Sequence, residues 1–226
     1  MHTTDLYGGM TLGAYADRRL VGYSYAVPGF DGAKPFLLSC GLAVSGAYGL
    51  RGIGRALKLA QAERARQAGY DVIRWTTNSL ASLPLHLYLS KLGARLVGYR
   101  QDMYVGIRDS VFPDEVEIEW DLRPPARSRF DGEPVPLVMS EEAGAGPRRL
   151  GSVNTDELTD LTAHSYSVEI PWDRAALGSR SPELGRQWVA AARTAIQTLL
   201  AARYVGTSVI ADRPSKRSFI RFDVDC

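Results

Sequence analysis

The segment Tyr-Gly-Leu-Arg-Gly-Ile-Gly-Arg at residues 48–55 has the composition of an anion-binding turn. Gly52 and Gly54 have no Cβ, so main-chain N–H groups can approach a phosphate closely. A helix is predicted to begin within this turn, and its N-terminus adds a partial positive charge. Arg51 and Arg55 flank the glycines. The segment therefore predicts a phosphate site, although glycines between a strand and a helix also occur for steric reasons alone.

The segments around this turn predict a strand, a helix and a second strand. Residues 36–44 are mostly apolar and predict a buried strand, on which Cys40 is expected to be a small buried side chain. The helix is expected to end at Gly69, and residues 71–76 predict the next strand. The predicted buried face of the helix consists of Ile53, Ala56, Leu57, Ala60 and Ala68, and the predicted solvent face of Lys58, Glu63 and Arg66.

The order of these parts, followed by Leu-Tyr-Leu-Ser-Lys-Leu-Gly at residues 87–93, resembles the GNAT superfamily of acyl-CoA-dependent N-acyltransferases. The resemblance implies a GNAT-like α/β fold (α+β mixed), with a twisted mixed sheet and flanking helices. It implies acyl-CoA as co-substrate, with the pyrophosphate of coenzyme A held by the glycine turn and the pantetheine arm paired with the preceding strand. The cofactor-binding residues implied are Leu42, Ala43 and Val44 on the strand and Arg51, Gly52, Ile53, Gly54, Arg55 and Ala56 at the turn.

Further segments are similar to a bacterial branch of this superfamily that carries an added C-terminal half. The likeness covers residues 8–122 and, less closely, 166–224. A Pro- and Arg-containing stretch at residues 123–129 predicts a linker, which gives a GNAT-like domain over 1–125 and an α+β half over 126–226. Ser181-Pro182-Glu183 predicts the start of a helix in that half, with a buried face of Trp188, Ala192, Ala195, Ile196 and Leu199. Two strands are predicted after it, and a degenerate copy of the GNAT-like unit is one interpretation of this half.

The chain departs from the superfamily pattern at several places. Gly49 stands where a basic residue or Gln is usual, Leu50 where a further glycine is usual, and Pro84 where the branch often has Asn. The usual N-terminal strand and helices are lacking before a predicted hairpin, whose turn is residues 17–19. Without these elements the edge of the sheet would expose unpaired backbone groups. We therefore expect either the C-terminal half or a second subunit, as in a homodimer, to cover that edge.

Acyl transfer to an amine needs a free-base amine, a polarised thioester carbonyl and a proton for the departing thiolate. In much of the superfamily a tyrosine supplies that proton; the corresponding register here holds Leu89, with Tyr88 one step earlier. Tyr88 and Tyr104 are therefore the candidate acids. Histidine titrates near neutral pH, which makes His86 a candidate base. Packing, capping and surface roles remain alternatives for all three, and His164, Glu169 and Asp102 remain open as bases.

Composition excludes several other classes of function. The chain has 226 residues and a net charge of only +2, with no basic patch interleaved with aromatics, which argues against nucleic-acid binding. No P-loop lysine follows the glycines, so a nucleoside triphosphate is not the expected ligand. There is no apolar stretch of membrane-span length, no signal peptide and no metal-binding spacing of cysteines or histidines, so a cytoplasmic location without a metal is expected.

These features give three hypotheses for function. The first is a GNAT-type acyltransferase that moves an acetyl or other short acyl group from acyl-CoA to the amine of a small molecule or amino acid. The second is a protein with the GNAT fold that carries out a different reaction or has a binding role, because fold does not imply function. The third takes the acyl group from an acyl carrier protein, with Arg51 and Arg55 facing that partner.

Overall fold

The structure is a computed structural model that describes residues 5–103, 111–123, 132–140, 145–149 and 161–225. The described residues form two compact units that are interleaved in sequence. The first unit contains the described residues up to Trp75 together with Glu119 to Arg123. The second contains Thr76 to Ile118, with its gap, and the described residues from Gly132 onward. The predicted division after residue 125 lies outside the described residues and stays a prediction.

The first unit is built on a sheet whose strands follow the order β1-β2-β3-β4-β6. The predicted hairpin is confirmed: β1 and β2 are antiparallel, and the turn residues Asp17 and Arg18 have φ values of 48° and 64°. β3 is antiparallel to β2 and parallel to β4. The strands of this unit are β1 (Met10–Ala16), β2 (Arg19–Asp31), β3 (Lys34–Val44), β4 (Val72–Asn78) and β6 (Glu115–Asp121), of which β4 and β6 are shared with the second unit.

Helix α1 (Ile53–Gln67) packs against β1, β2 and β3. Its close approach depends on Gly22 of β2, where an added Cβ would lie 3.3 Å from the side chains of Ile53 and Leu57 and 3.1 Å from the Ala43 carbonyl oxygen. A side chain at this position would therefore require its neighbours to move by a few tenths of an ångström, and glycine avoids this crowding between helix and sheet. Gly69, with φ of 83°, follows the helix as predicted.

The buried face of α1 differs from the predicted one. Ala56, Ala60 and Ala68 are exposed, whereas Lys58 is fully buried. The stripe that meets the sheet runs along positions four residues apart, so it passes through two polar side chains that a hydropathy pattern assigns to solvent. The buried residues are Leu57, Lys58, Gln61, Ala62 and Ala65.

The second unit contains a sheet in the order β6-β5-β10-β11-β9-β7-β8 with helices α2, α3 and α4. The predicted long helix is confirmed: Ser181 caps α4 by accepting from the Leu184 N–H, and Trp188 lies on its buried face. The mixed α/β expectation is confirmed over the two units. The additional elements are α2 (Ser82–Leu85), a π-helical turn (His86–Lys91), β5 (Arg95–Arg100), β7 (Val135–Ser140), β8 (Pro147–Arg149), β9 (Ser165–Ile170), α3 (Arg174–Arg180), α4 (Pro182–Ala201), β10 (Tyr204–Asp212) and β11 (Arg217–Val224).

None of the helices in the described residues is both long enough and apolar enough to cross a lipid bilayer.

Candidate acyl-donor site

The glycine turn lies in the first unit between β3 and α1 and contains two residues in the left-handed region. A short 3₁₀ turn (Gly46–Tyr48) leads into Gly49, whose N–H donates to the Gly46 carbonyl. Gly52 has φ of 81° and precedes the helix as its N-cap residue. Leu50 has φ of 59° although it carries a Cβ, and its side chain is 86% exposed. The turn thus imposes at Leu50 a conformation that glycine adopts freely and leucine adopts at a cost.

The N-terminus of α1 offers main-chain donors. Gly52 has no side chain to cap the helix, and the N–H of Ala56 is already bonded to the Gly52 carbonyl. Helix geometry therefore leaves the N–H groups of Ile53, Gly54 and Arg55 outside the ladder of α1. The first turn contains no acidic residue, and an added Cβ at Gly52 would meet nothing within 4 Å. Open space, uncapped donors and the helix dipole together suit an anion.

The two arginines of the turn remain at the surface. Arg51 and Arg55 are exposed, and the Arg51 guanidinium lies 5.4 Å from the centre of the Tyr48 ring. Both side chains belong to the segment that carries the uncapped N–H groups, so their charges reinforce the attraction for an anion at this turn.

Strand β3 separates from β4 before it reaches the turn. Among the described residues, the two parallel strands are paired at Leu37 with Ile73 and at Leu38 with Arg74. Leu42, Ala43 and Val44 lie beyond that point and pair on their other side with β2. Main-chain groups on the open side of β3 are consequently available to an extended ligand, since such a ligand can add to an unpaired strand edge. The structure thus brings the predicted strand residues and turn residues together in one unit.

A β-bulge at Cys40 precedes this open segment. Ala26 pairs with Ser39 and Tyr25 with Gly41, so Cys40 is the extra residue. The prediction of a buried Cys40 is wrong: its side chain is exposed, while the α1-facing position is taken by Ser39. Partial desolvation raises the pKa of the Cys40 thiol. The bulge redirects the strand at the point where it leaves β4, and bulges commonly lie beside functional sites.

A buried polar cluster connects α1 to the strands next to the bulge. The Lys58 ammonium donates to Ser39 Oγ at 2.8 Å and to Gln61 Oε1 at 3.3 Å, and it lies 3.7 Å from the centre of the Trp75 ring. Burial lowers the pKa of Lys58 to about 7. Sequence reasoning missed this residue because lysine on a surface helix normally faces water. The available signal was its place beside Leu57 and four residues before Ala62 on the sheet-facing stripe.

The predicted catalytic residues lie in the second unit or outside the described part. Tyr104 lies outside the described residues. His86 and Tyr88 belong to the π-helical turn, a form often found at functional sites. His86 Nδ1 is 3.3 Å from the Val209 carbonyl oxygen. Tyr88 is buried, and burial together with the charge of Glu115 raises its pKa to about 12.

Glu115 is a functional candidate that sequence reasoning did not identify. It begins β6, is 7% exposed, and accepts a hydrogen bond from the Thr76 side chain. Burial raises the pKa of its carboxyl group, and Arg174 partly opposes that effect. Nothing in the local sequence distinguishes Glu115 from Glu117 and Glu119 on the same strand, because only the tertiary contacts bury it.

The carboxylates left open as bases are engaged in ion pairs. Glu169 accepts hydrogen bonds from the Ser140 N–H at 2.7 Å and from Arg217 at 2.6 Å and is almost fully buried. Asp102 pairs with Arg193 at 2.8 Å. These contacts give both carboxylates a structural role. Among the described residues no group of three or more His, Cys, Asp or Glu side chains is arranged to hold a metal ion.

Comparison with known proteins finds similarity among solved structures. A GNAT family acetyltransferase from Elizabethkingia anophelis with acetyl-CoA bound is 18% identical, over 53% of this chain and 82% of that one, with a TM-score of 0.45. A Bacillus subtilis acetyltransferase in complex with CoA is 23% identical over the same shares, with a TM-score of 0.45. An aminoglycoside 6′-acetyltransferase of type Ii is 19% identical over 55% of this chain and 76% of that one, with a TM-score of 0.44. No protein-family model and no curated protein matches the chain.

Proposed function

We propose that this protein is an N-acyltransferase that takes an acetyl or other short acyl group from acyl-CoA and transfers it to the amine of a small molecule. The observation that carries the proposal is the position of the uncapped N-terminus of α1 next to the open end of β3. A ligand that joins a diphosphate to an extended amide-containing arm uses both features at once. Coenzyme A has this chemistry.

In this proposal, residues of the first unit make two sets of contacts with the acyl donor, one to its diphosphate and one to its pantetheine arm. The N–H groups of Ile53, Gly54 and Arg55 suit the diphosphate oxygens, and Arg51 and Arg55 supply positive charge. The main chain of Leu42, Ala43 and Val44 pairs with the pantetheine arm in the manner of an added strand. Ala56 lies one residue further along α1, and its N–H is already used within the helix. Its proposed role is therefore limited to packing next to the diphosphate.

In the proposed reaction the free-base amine nitrogen attacks the thioester carbonyl carbon and gives up one proton to a base, the carbon–sulfur bond breaks, and the departing thiolate accepts one proton. Main-chain N–H groups of β3 after the bulge are the proposed donors to the carbonyl oxygen as it gains negative charge. Tyr88 is the first proposed source of the proton, because it lies one step from the position at which the superfamily carries its acid. Its pKa, raised to about 12, means that the hydroxyl holds its proton at physiological pH. His86 and Tyr104 remain alternative proton donors or acceptors.

The proposal is tested by binding measurements on the intact protein. Isothermal titration with CoA, with pantetheine and with 3′-phosphoadenosine 5′-diphosphate separates the two sets of contacts. We expect CoA to bind most tightly and to raise the melting temperature, since a ligand at 100 times its Kd stabilises the native state by about 2.7 kcal/mol. Arg55→Ala should weaken the binding of CoA and of 3′-phosphoadenosine 5′-diphosphate by about tenfold each. Arg64→Ala, at an exposed position on the same helix, is the matched control.

Transfer itself is measured as amine-dependent release of the CoA thiol from acetyl-CoA, with an enzyme-only blank because Cys40 is exposed. Tight CoA binding without turnover on any amine of a broad panel would support the binding role instead. Binding of pantetheine as tight as that of CoA, with no effect of Arg55→Ala, would favour a carrier-protein donor. The absence of any binding would contradict the proposed function.

A further inference from the structure

Lys58 joins three elements of the first unit through one buried side chain. It belongs to α1 and is 1% exposed. Its ammonium donates to Ser39 Oγ on β3 at 2.8 Å and lies over the ring of Trp75 on β4 at 3.7 Å. Gln61, one turn further along α1, accepts its second hydrogen bond at 3.3 Å. A single amine therefore connects α1, β3 and β4.

The contacts of Lys58 lie where β3 and β4 diverge. The last paired positions of the two parallel strands are Leu38 and Arg74. Ser39 and Trp75 are the next residues along each strand, and Lys58 contacts both of them. The bulge at Cys40 follows directly on β3. Lys58 thus contacts both strands at the point where they stop sharing hydrogen bonds.

Packing alone does not explain a lysine in this place. Burying an ammonium is costly unless it is well compensated, and an apolar side chain of similar length would fill the same space without that cost. Gln61, which accepts a hydrogen bond from Lys58, has its own buried Nε2 without a hydrogen-bond partner among the described residues. Lys58 and Gln61 thus place a polar cluster against β3 where apolar side chains would pack at lower cost, a pattern that is common where geometry serves function.

We propose that Lys58 is a positioning residue of the acyl-donor site, which fixes Ser39 of β3 and Trp75 of β4 against α1 at the point where the two strands stop pairing. The main chain of Leu42, Ala43 and Val44 then stays open to the pantetheine arm. The inference rests on the proposed function, because it needs a donor whose arm lies along β3. It assigns the amine no contact with the ligand: Lys58 acts through the strand that it holds.

The experiment compares Lys58→Met with Arg64→Met, an exposed position on the same helix. Each variant is titrated with CoA and with 3′-phosphoadenosine 5′-diphosphate, which carries the phosphates but no pantetheine arm. Lys58→Met should weaken the binding of CoA by about tenfold, while the affinity for 3′-phosphoadenosine 5′-diphosphate stays within about twofold. Arg64→Met should change neither affinity. This split between the two ligands distinguishes strand positioning from a general loss of stability, which would weaken both.

Other outcomes overturn the proposal in distinguishable ways. If the wild type binds neither ligand, the proposed function fails and this inference fails with it. If the wild type binds both and Lys58→Met binds both equally well, or loses both equally, only the positioning role is wrong. Should Lys58→Met not fold, as judged by its thermal unfolding, Ser39→Ala decides the question, because it removes only the hydroxyl acceptor on β3. A selective loss of CoA affinity is then expected, and unchanged CoA affinity contradicts the role.

Discussion

At the scale of single residues, Lys58 makes the stability of the protein depend on pH. Burial lowers the pKa of Lys58 from 10.5 to about 7 in the folded state, so the unfolded chain binds more protons between these values. The free energy of unfolding that Lys58 contributes therefore rises as the pH increases from about 7 towards 10.5. Below pH 7 the group is protonated in both states, and its full burial cost remains. A pKa lowered this far corresponds to a gain of roughly 5 kcal/mol in the free energy of unfolding over the whole interval.

The measurement is urea unfolding of the wild type and of Lys58→Met at pH values from 6 to 10. All other titrating groups are shared, so the difference between the two proteins isolates Lys58. We expect the wild type to gain stability relative to Lys58→Met as the pH rises above 7, by several kcal/mol by pH 10. A difference that stays constant with pH would show that the ammonium is not desolvated in the folded protein.

At the scale of elements, local sequence patterns predicted where helices and strands form, but they did not predict which of their residues contact one another. Ser181 before Pro182 marks a helix start by capping chemistry that depends only on neighbouring residues, and the structure confirms it. The buried face of α1 could not be read in the same way, since Lys58 is buried by partners on β3 and β4 rather than by its sequence neighbours. The bulge at Cys40 likewise depends on the register with β2. Glu115 becomes distinctive only through Thr76 and Arg174.

The π-helical turn yields a prediction for catalysis. Tyr88 is buried in this turn with a pKa raised to about 12, so it stays protonated in assays up to about pH 10. If it supplies the proton to the thiolate, Tyr88→Phe should lower kcat by about 10²-fold or more while the KM for acetyl-CoA changes little. Steady-state kinetics over that pH range test this, with Tyr70→Phe in the first unit as the control, because the Tyr70 hydroxyl donates to the Gly8 carbonyl.

A kcat within about twofold of the wild type, with only a lower melting temperature, would leave Tyr88 a packing residue. His86 would then be the next candidate on the same turn. An alkaline limb in the wild-type profile below pH 10 must come from another group, since raising the pKa of Tyr88 moves its ionisation above that range.

At the scale of the whole molecule, each unit is assembled from sequence segments that are far apart. In the first unit, Arg66 Nε donates to the Leu122 carbonyl, and Arg74 pairs with Glu119 at 2.9 Å. In the second unit, Arg193 of α4 pairs with Asp114, 79 residues earlier, at 2.8 Å. Such contacts cannot be predicted from spacing or composition. The helices and strands were predictable from sequence because they depend on local patterns. The interleaving of the units was not, because it depends on these contacts between distant segments.

The Arg193–Asp114 ion pair joins the two segments of the second unit. The Asp114 side chain is fully buried and also accepts hydrogen bonds from the Tyr99 hydroxyl at 2.5 Å and from the Asp102 N–H at 2.9 Å. Arg193→Met removes the cation and leaves a buried carboxylate without its ion-pair partner. This change should lower the free energy of unfolding by about 3 kcal/mol or more. Arg186→Met on the same helix removes only an exposed pair with Glu183 and should cost less than about 1 kcal/mol. Urea unfolding of the two variants at neutral pH measures the difference, and equal losses would mean that α4 is held by its apolar face alone.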